Sequence, residues 1–195
     1  MNLDPFMRTL AGLLHDLPPG QRDAILTVTR QLRRYAALME QSAAVSQAVF
    51  EGANVDRVAR LILGGAGRIG HYRAGAFVLM TDDHPTIAAA YGEFAGTEGR
   101  RAPGELTATC LTRLGPARVN LLSTALGIDL PAHELYLVPV ASPETCVGTL
   151  ALLDSDGEGP DDRLMESYAS RAAMAYLHAA RLPRGDIACF ASQWS

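Results

Sequence analysis

Apolar residues recur at steps of three and four between residues 21 and 51, at Ile25, Val28, Leu32, Tyr35, Met39, Ala43, Val49 and Phe50, with no proline or glycine to interrupt them. That period predicts one amphipathic helix about 45 Å long. A helix of this length outreaches a domain of this size, so part of it is expected to pack against a second copy of the chain. A shorter amphipathic stretch precedes it over residues 4–16, with Phe6, Leu10, Leu13 and Leu14 in helical spacing. The run Leu17-Pro18-Pro19-Gly20 breaks the two apart.

Downstream the period changes repeatedly. Asn54 is a good N-cap for a helix carrying Val55, Val58, Leu61 and Ile62, which Gly64, Gly65, Gly67 and Gly70 are expected to weaken and end. Residues 74–81 and 86–94 are apolar runs joined by Asp82 to Pro85, the pattern of a β-hairpin. Residues 96–104 form a Gly-rich, charged loop, residues 105–114 a short helix stopped at Gly115-Pro116, and residues 121–130 fit no single class. Two further strands follow at 134–141 and 146–153, with Pro139 marking an edge or a bulge in the first. Residues 160–182 close the domain as a helix with acids at its start and Arg181 at its end. It carries two apolar stripes, one through Leu164 and Tyr168, the other through Met165 and Tyr176, and is expected to face both the sheet and a partner. The order predicts an α+β fold, an antiparallel sheet with helices grouped on one face.

Composition narrows the function classes. At 195 residues, 48% hydrophobic and 19% charged, the chain has enough apolar surface for one core without disulfides or a structural metal. Net charge is −4 and all 17 basic residues are arginine, which argues against charge-driven nucleic-acid binding. Cys110, Cys146 and Cys189 are odd in number and widely spaced, which suits a reducing cytoplasm. No apolar run reaches membrane-spanning length, and residues 1–14 do not read as a signal peptide. His15, His71, His84, His133 and His178 have no metal-ligand spacing among themselves or with cysteine.

One motif invites a nucleotide reading. Residues 65–70, GAGRIG, satisfy G-x-G-x-x-G. The fingerprint needs a crossover helix after the glycines, and only His71, Tyr72 and Arg73 separate them from the next strand. A phosphate site is therefore not expected there. No nucleophile, base and orienter occur at a recognised catalytic spacing.

The second half resembles the GAF family of small-molecule sensor domains. Leu135 to Val140 is similar to the family's strand with an apolar-Pro-apolar step, Cys146 to Leu152 (CVGTLAL) to its V-I-G-V-L-x-L strand, and Ala172 to Arg181 to its alanine-rich last helix. Residues 54–69 and 74–81 match its opening helix and first strand. The resemblance implies a GAF-like (PAS-like) antiparallel sheet with long N- and C-terminal helices on one face. It divides the chain into a helical extension (1–32), a GAF-like domain (33–182) and a tail (183–195). It also implies a cup over the sheet, closed by residues 92–133, whose guest varies across the family, so no cofactor is named. The chain lacks the Asn-Lys...Asp-Glu signature of the cyclic-nucleotide-binding members. Cys110-Leu111 is similar to the bilin-attaching cysteine of phytochrome-like members, without their neighbouring His and Asp motifs. The cysteine set of the free-methionine-sulfoxide reductases is not reproduced.

The candidate ligand residues are Tyr91, Cys110, Arg113, His133, Tyr136 and Thr149, the few polar groups an apolar pocket would use to orient a guest. Packing or solvent contact is the alternative for each. Physically, Gly148 is expected to let the last helix approach the sheet, while Val147, Thr149 and Ala151 share the opposite face. Leu32, Tyr35, Met39, Met165 and Tyr176 are the candidate dimer contacts. The expected function is a non-enzymatic, cytoplasmic, homodimeric sensor of a small molecule, signalling in trans to an unknown protein partner, with neither nucleic acid nor a membrane span. An interaction scaffold with a side-chain-filled cup is the alternative, and a thiol enzyme using Cys110 is a third. The tail, with Ile187, Phe190 and Trp194, is unusually apolar and is expected to dock on its own domain or on a partner.

Overall fold

The computed structural model describes residues 12, 14, 17–80, 84–102, 115–121, 133–153 and 161–181. The chain divides into two compact units, residues 1–36 and 37–195. Helix α1 (Pro19–Phe50) starts in the first, where the Arg22 guanidinium donates to the carbonyls of Leu14 and Leu17 and ties down the break before the helix. In this unit Val28, Leu32 and Tyr35 are exposed.

In the second unit the rest of α1 turns Leu38, Gln41, Val45, Ala48 and Val49 inward. Asn54 caps α2 (Val55–Gly70) as expected, its Oδ1 accepting from the Arg57 N–H at 2.9 Å. Strands β1 (Ala74–Met80) and β2 (Pro85–Tyr91), a 3-10 turn (Gly92–Phe94), strands β3 (Ala117–Leu121), β4 (His133–Ala141) and β5 (Cys146–Leu153), and helix α3 (Asp162–Arg181) complete the described chain. The five strands form one antiparallel sheet in the order β2-β1-β5-β4-β3. Ser142 turns β4 into β5: its N–H donates to the Thr145 carbonyl, and its hydroxyl accepts from the Thr145 N–H.

Among the described residues, the α-helices pack on one side of the sheet. There Phe77, Tyr136, Val138, Leu150 and Leu152 meet Ile62 and Ala66 of α2 and Leu164, Met165 and Tyr168 of α3. The opposite face gathers Ala74, Ala76, Val78, Ile87, Leu135, Leu137, Ala151 and Leu153, with Phe94 and Ala102 upon them. The α+β reading of the sequence is this architecture. Among the described residues, no helix is long and apolar enough to cross a membrane.

Four details depart from the sequence reading. The glycines at 64–70 do not end α2, which runs through them to Gly70. They make room for aromatic rings: a Cβ at Gly65 would strike the Tyr168 hydroxyl, one at Gly67 the Tyr91 hydroxyl, and one at Gly70 the Tyr72 ring. β2 stops at Tyr91 rather than 94, because Gly92 takes φ +64° and a Cβ there would strike the Arg73 carbonyl. β3 was not anticipated, being a five-residue edge strand. At Gly148 a Cβ would strike the Val78 carbonyl, so that glycine lets β5 lie against β1 and does not serve the helix.

Pro139 is at an edge, as its lack of an N–H demands: β3 pairs with β4 only as far as Leu137, and the β4/β5 register shifts at Val140. The expected helix at 105–114, residues 122–130 and the tail lie outside the described residues. So does the stretch 4–16, apart from Gly12 and Leu14.

Candidate functional site

The sheet face away from the helices is built from small side chains. β1 contributes Ala76 and Val78, β2 Ala90, and β5 Thr149 and Ala151. The register places Ala76 beside both Ala90 and Ala151, and Val78 beside Thr149. Ala76, Val78 and Ala151 are fully buried on this face. Residues 97–102 return along β2, with the Ala102 N–H on the Pro85 carbonyl and the Ile87 N–H on the Arg100 carbonyl, and Phe94 and Ala102 close part of this face.

Thr149 is the polar member of that floor. It is 0% exposed, and its hydroxyl has no hydrogen-bond partner among the described residues. A buried hydroxyl without a partner costs about 1–3 kcal/mol, so a group bonded to it would be stabilised there.

Tyr91 and Tyr136 do not join it. Tyr136 faces the helices: its hydroxyl donates to Asp162 Oδ1 at 2.8 Å, and its ring stacks on Tyr72 and lies under the Arg118 guanidinium. Burial first, then the bond to Asp162, pushes its phenol far above the ordinary tyrosine range. Tyr91 also packs on the helical side, donating to the Tyr72 carbonyl at 3.1 Å, and burial followed by the nearby Glu93 charge raises its phenol to about 12. Both tyrosines fasten helices to the sheet. Alternation along β4 puts Tyr136 on the opposite side from Leu135 and Leu137. Val147 likewise packs with the helices and not beside Thr149, because the register shift at the start of β5 turns it over. Cys110 and Arg113 lie outside the described residues. His133 opens β4 opposite Leu121.

A described thiol, Cys146, lies half-buried at the start of β5, its Sγ 3.7 Å from the Gly148 carbonyl. Burial pushes its pKa up, and the contact with Gly148 lowers it less. That is the environment of a packed thiol rather than a nucleophile.

The candidate dimer residues divide. Leu32, Tyr35 and Met39 are more than half exposed. Met165, at 1% exposed, is core and has no surface to offer a second copy, while Tyr176 is half-buried edge-on to Phe77. Both apolar stripes of α3 pack inside the chain's own domain. Its exposed apolar side chain is Met174, which belongs to neither stripe, and Arg171 beside it donates to Met39 Sδ at 3.4 Å. The buried small-residue face was missed as well, although the alanines of β1, β2 and β5 were its visible sign.

No family model matches the sequence, and no curated protein matches it either. Solved structures do match the fold. The GAF domain of a putative sensor histidine kinase from Pseudomonas syringae pv. tomato superposes with a TM-score of 0.54 at 18% identity, over 79% of this chain and 94% of that one. The GAF domain of the Acinetobacter phosphoenolpyruvate-protein phosphotransferase gives 0.58 at 12%, over 76% and 97%. The free methionine-R-sulfoxide reductase of Neisseria meningitidis, solved with its substrate, gives 0.57 at 13%, over 75% and 90%. With its strand order, its helices on one face and these neighbours, the chain has the fold of a GAF domain.

Proposed function

We propose that this chain is a non-enzymatic regulatory module that receives a small, largely apolar molecule on the sheet face opposite its helices. It works as a cytoplasmic homodimer through α1 and signals in trans to a partner protein. The observation that carries the reading is the Thr149 hydroxyl, buried without a partner above a floor of alanines. Cys110, Arg113 and His133 are the other groups proposed to meet the guest. Tyr91 and Tyr136 are left out, since their hydroxyls are bonded on the far side of the sheet.

An interaction scaffold is the second reading. Its support is Phe94, fully buried on that same face, which already fills part of the space. A thiol enzyme using Cys110 is the third reading; Cys146 adds nothing to it, since burial pushes that thiol's pKa up.

Native mass spectrometry of the full chain purified from its own host tests the proposal. The expected result is a dimer carrying a non-covalent mass excess that Thr149→Val reduces, without loss of fold, since the two side chains match in shape. A bare dimer, unchanged by the substitution, transfers the function to the scaffold. A bare monomer overturns both.

A further inference from the structure

Where the C-terminal half of α1 meets the last turns of α3, a groove of about 460 Å³ is lined by Val49, Phe50, Arg171, Met174, Ala175 and His178. Phe50 is 92% exposed and Met174 58%. Two large apolar side chains this open beside one groove form a surface that water covers poorly. A second depression of about 320 Å³ shares Met174 and His178 and extends to Arg181, the last described residue. The chain therefore leaves α3 at the edge of this apolar strip, with residues 182–195 still to come.

Those residues suit the strip. Between Arg181 and Ile187 the sequence holds Pro183 and Gly185, residue types that favour a reversal of the chain. Ile187, Phe190, Ala191 and Trp194 then follow at steps of three, one and three, the spacing that places side chains on one face of a helix. Ser192 and Gln193 fall away from that face. From Ile187 to Trp194 such a helix rises about 10 Å, and the α3 wall of the groove, Arg171 to His178, also spans about 10 Å. An antiparallel return thus lays the apolar face of the tail along the groove's full length.

We propose that residues 187–194 dock in this groove in cis, with Phe190 and Trp194 covering Phe50 and Met174. The five residues 182–186 separate the tail from Arg181, and His178 is one helical turn back from it. A link that short keeps the tail at an effective concentration in the millimolar range beside its own groove, which favours it over the tail of another molecule. The docked segment would leave Met39 and the exposed stripe of α1 free, so the inference is independent of how the chain dimerises.

Trp194 is the only tryptophan of the chain, which makes it a direct reporter. In the full chain its emission is expected at short wavelength, weakly quenched by acrylamide, and the same at every protein concentration. Phe50→Asp and Met174→Asp each place a charge in the groove at a side chain that is itself exposed. Each is expected to move the emission to longer wavelength and raise quenching to that of free indole, with an unchanged far-UV circular dichroism spectrum. Solvent-exposed emission in the unsubstituted chain overturns the proposal. So does short-wavelength emission indifferent to both substitutions, which places the tail elsewhere. A spectrum that reddens on dilution also overturns it, assigning the groove to a second copy.

Discussion

Tyr91 shows how much one side chain can hold. It reaches from the end of β2 to the Tyr72 carbonyl and lies against the backbone of α2 where Gly67 leaves room for its ring. Its phenol is raised from an ordinary 10 to about 12, chiefly by burial. The folded chain therefore keeps a proton that the unfolded chain gives up. The resulting stability is fully present below about pH 10 and is lost as pH rises through 12. Tyr136, Tyr168 and Tyr176 are shifted in the same direction. Urea midpoints measured across this range should therefore fall as pH climbs above about 10. In Tyr91→Phe the unfolding free energy at neutral pH should drop by about 1 kcal/mol for the lost hydrogen bond, while the alkaline decline becomes shallower. A decline just as steep in the variant would locate the effect in the other tyrosines.

At the scale of elements, close contacts are secured by residues with no side chain. The glycine run of α2 looked like a helix terminator and, in its G-x-G-x-x-G spacing, like a phosphate loop. The structure uses it as the seat for Tyr168, Tyr91 and Tyr72, and the Tyr168 hydroxyl donates to the Ile62 carbonyl of the same helix. Propensity set against the helix is overridden here by packing, since α2 buries Val58, Ile62, Ala66 and Ile69 along one side. Gly148 plays the corresponding part in the sheet. Gly148→Ala should lower unfolding free energy by about 1–3 kcal/mol, because the new Cβ meets backbone of β1 that cannot swing aside as a side chain would. Chemical denaturation measures it. A neutral result would mean that β1 and β5 separate at little cost.

At the scale of the whole molecule, the described residues of α1 carry exposed apolar side chains at Val28, Leu32, Tyr35 and Met39, which follow at steps of four, three and four. Those steps are the heptad spacing of a two-helix seam. Leu32→Asp combined with Met39→Asp should convert a dimer to monomer in sedimentation at micromolar concentration, while leaving the circular dichroism spectrum nearly unchanged, since neither side chain is in the core. A dimer that survives both charges would have to use another surface.

The long helices, the N-cap at Asn54, the two hairpins and the α+β class could be read from the sequence alone, because each is written in local period and punctuation. The faces could not. β1 and β5 are apolar on both sides, so alternation carries no sign of which side meets the helices, and register shifts at Phe77 and Val140 decide it. That is why Tyr136 and Val147 were expected with Thr149 and lie across the sheet from it. β3 escaped notice because five residues at an edge hold too few alternations to stand out. The exposed stripe of α1 was legible as period, but that Met165 belongs to the core was decided only by tertiary packing, since both stripes of α3 are apolar and the domain packs both.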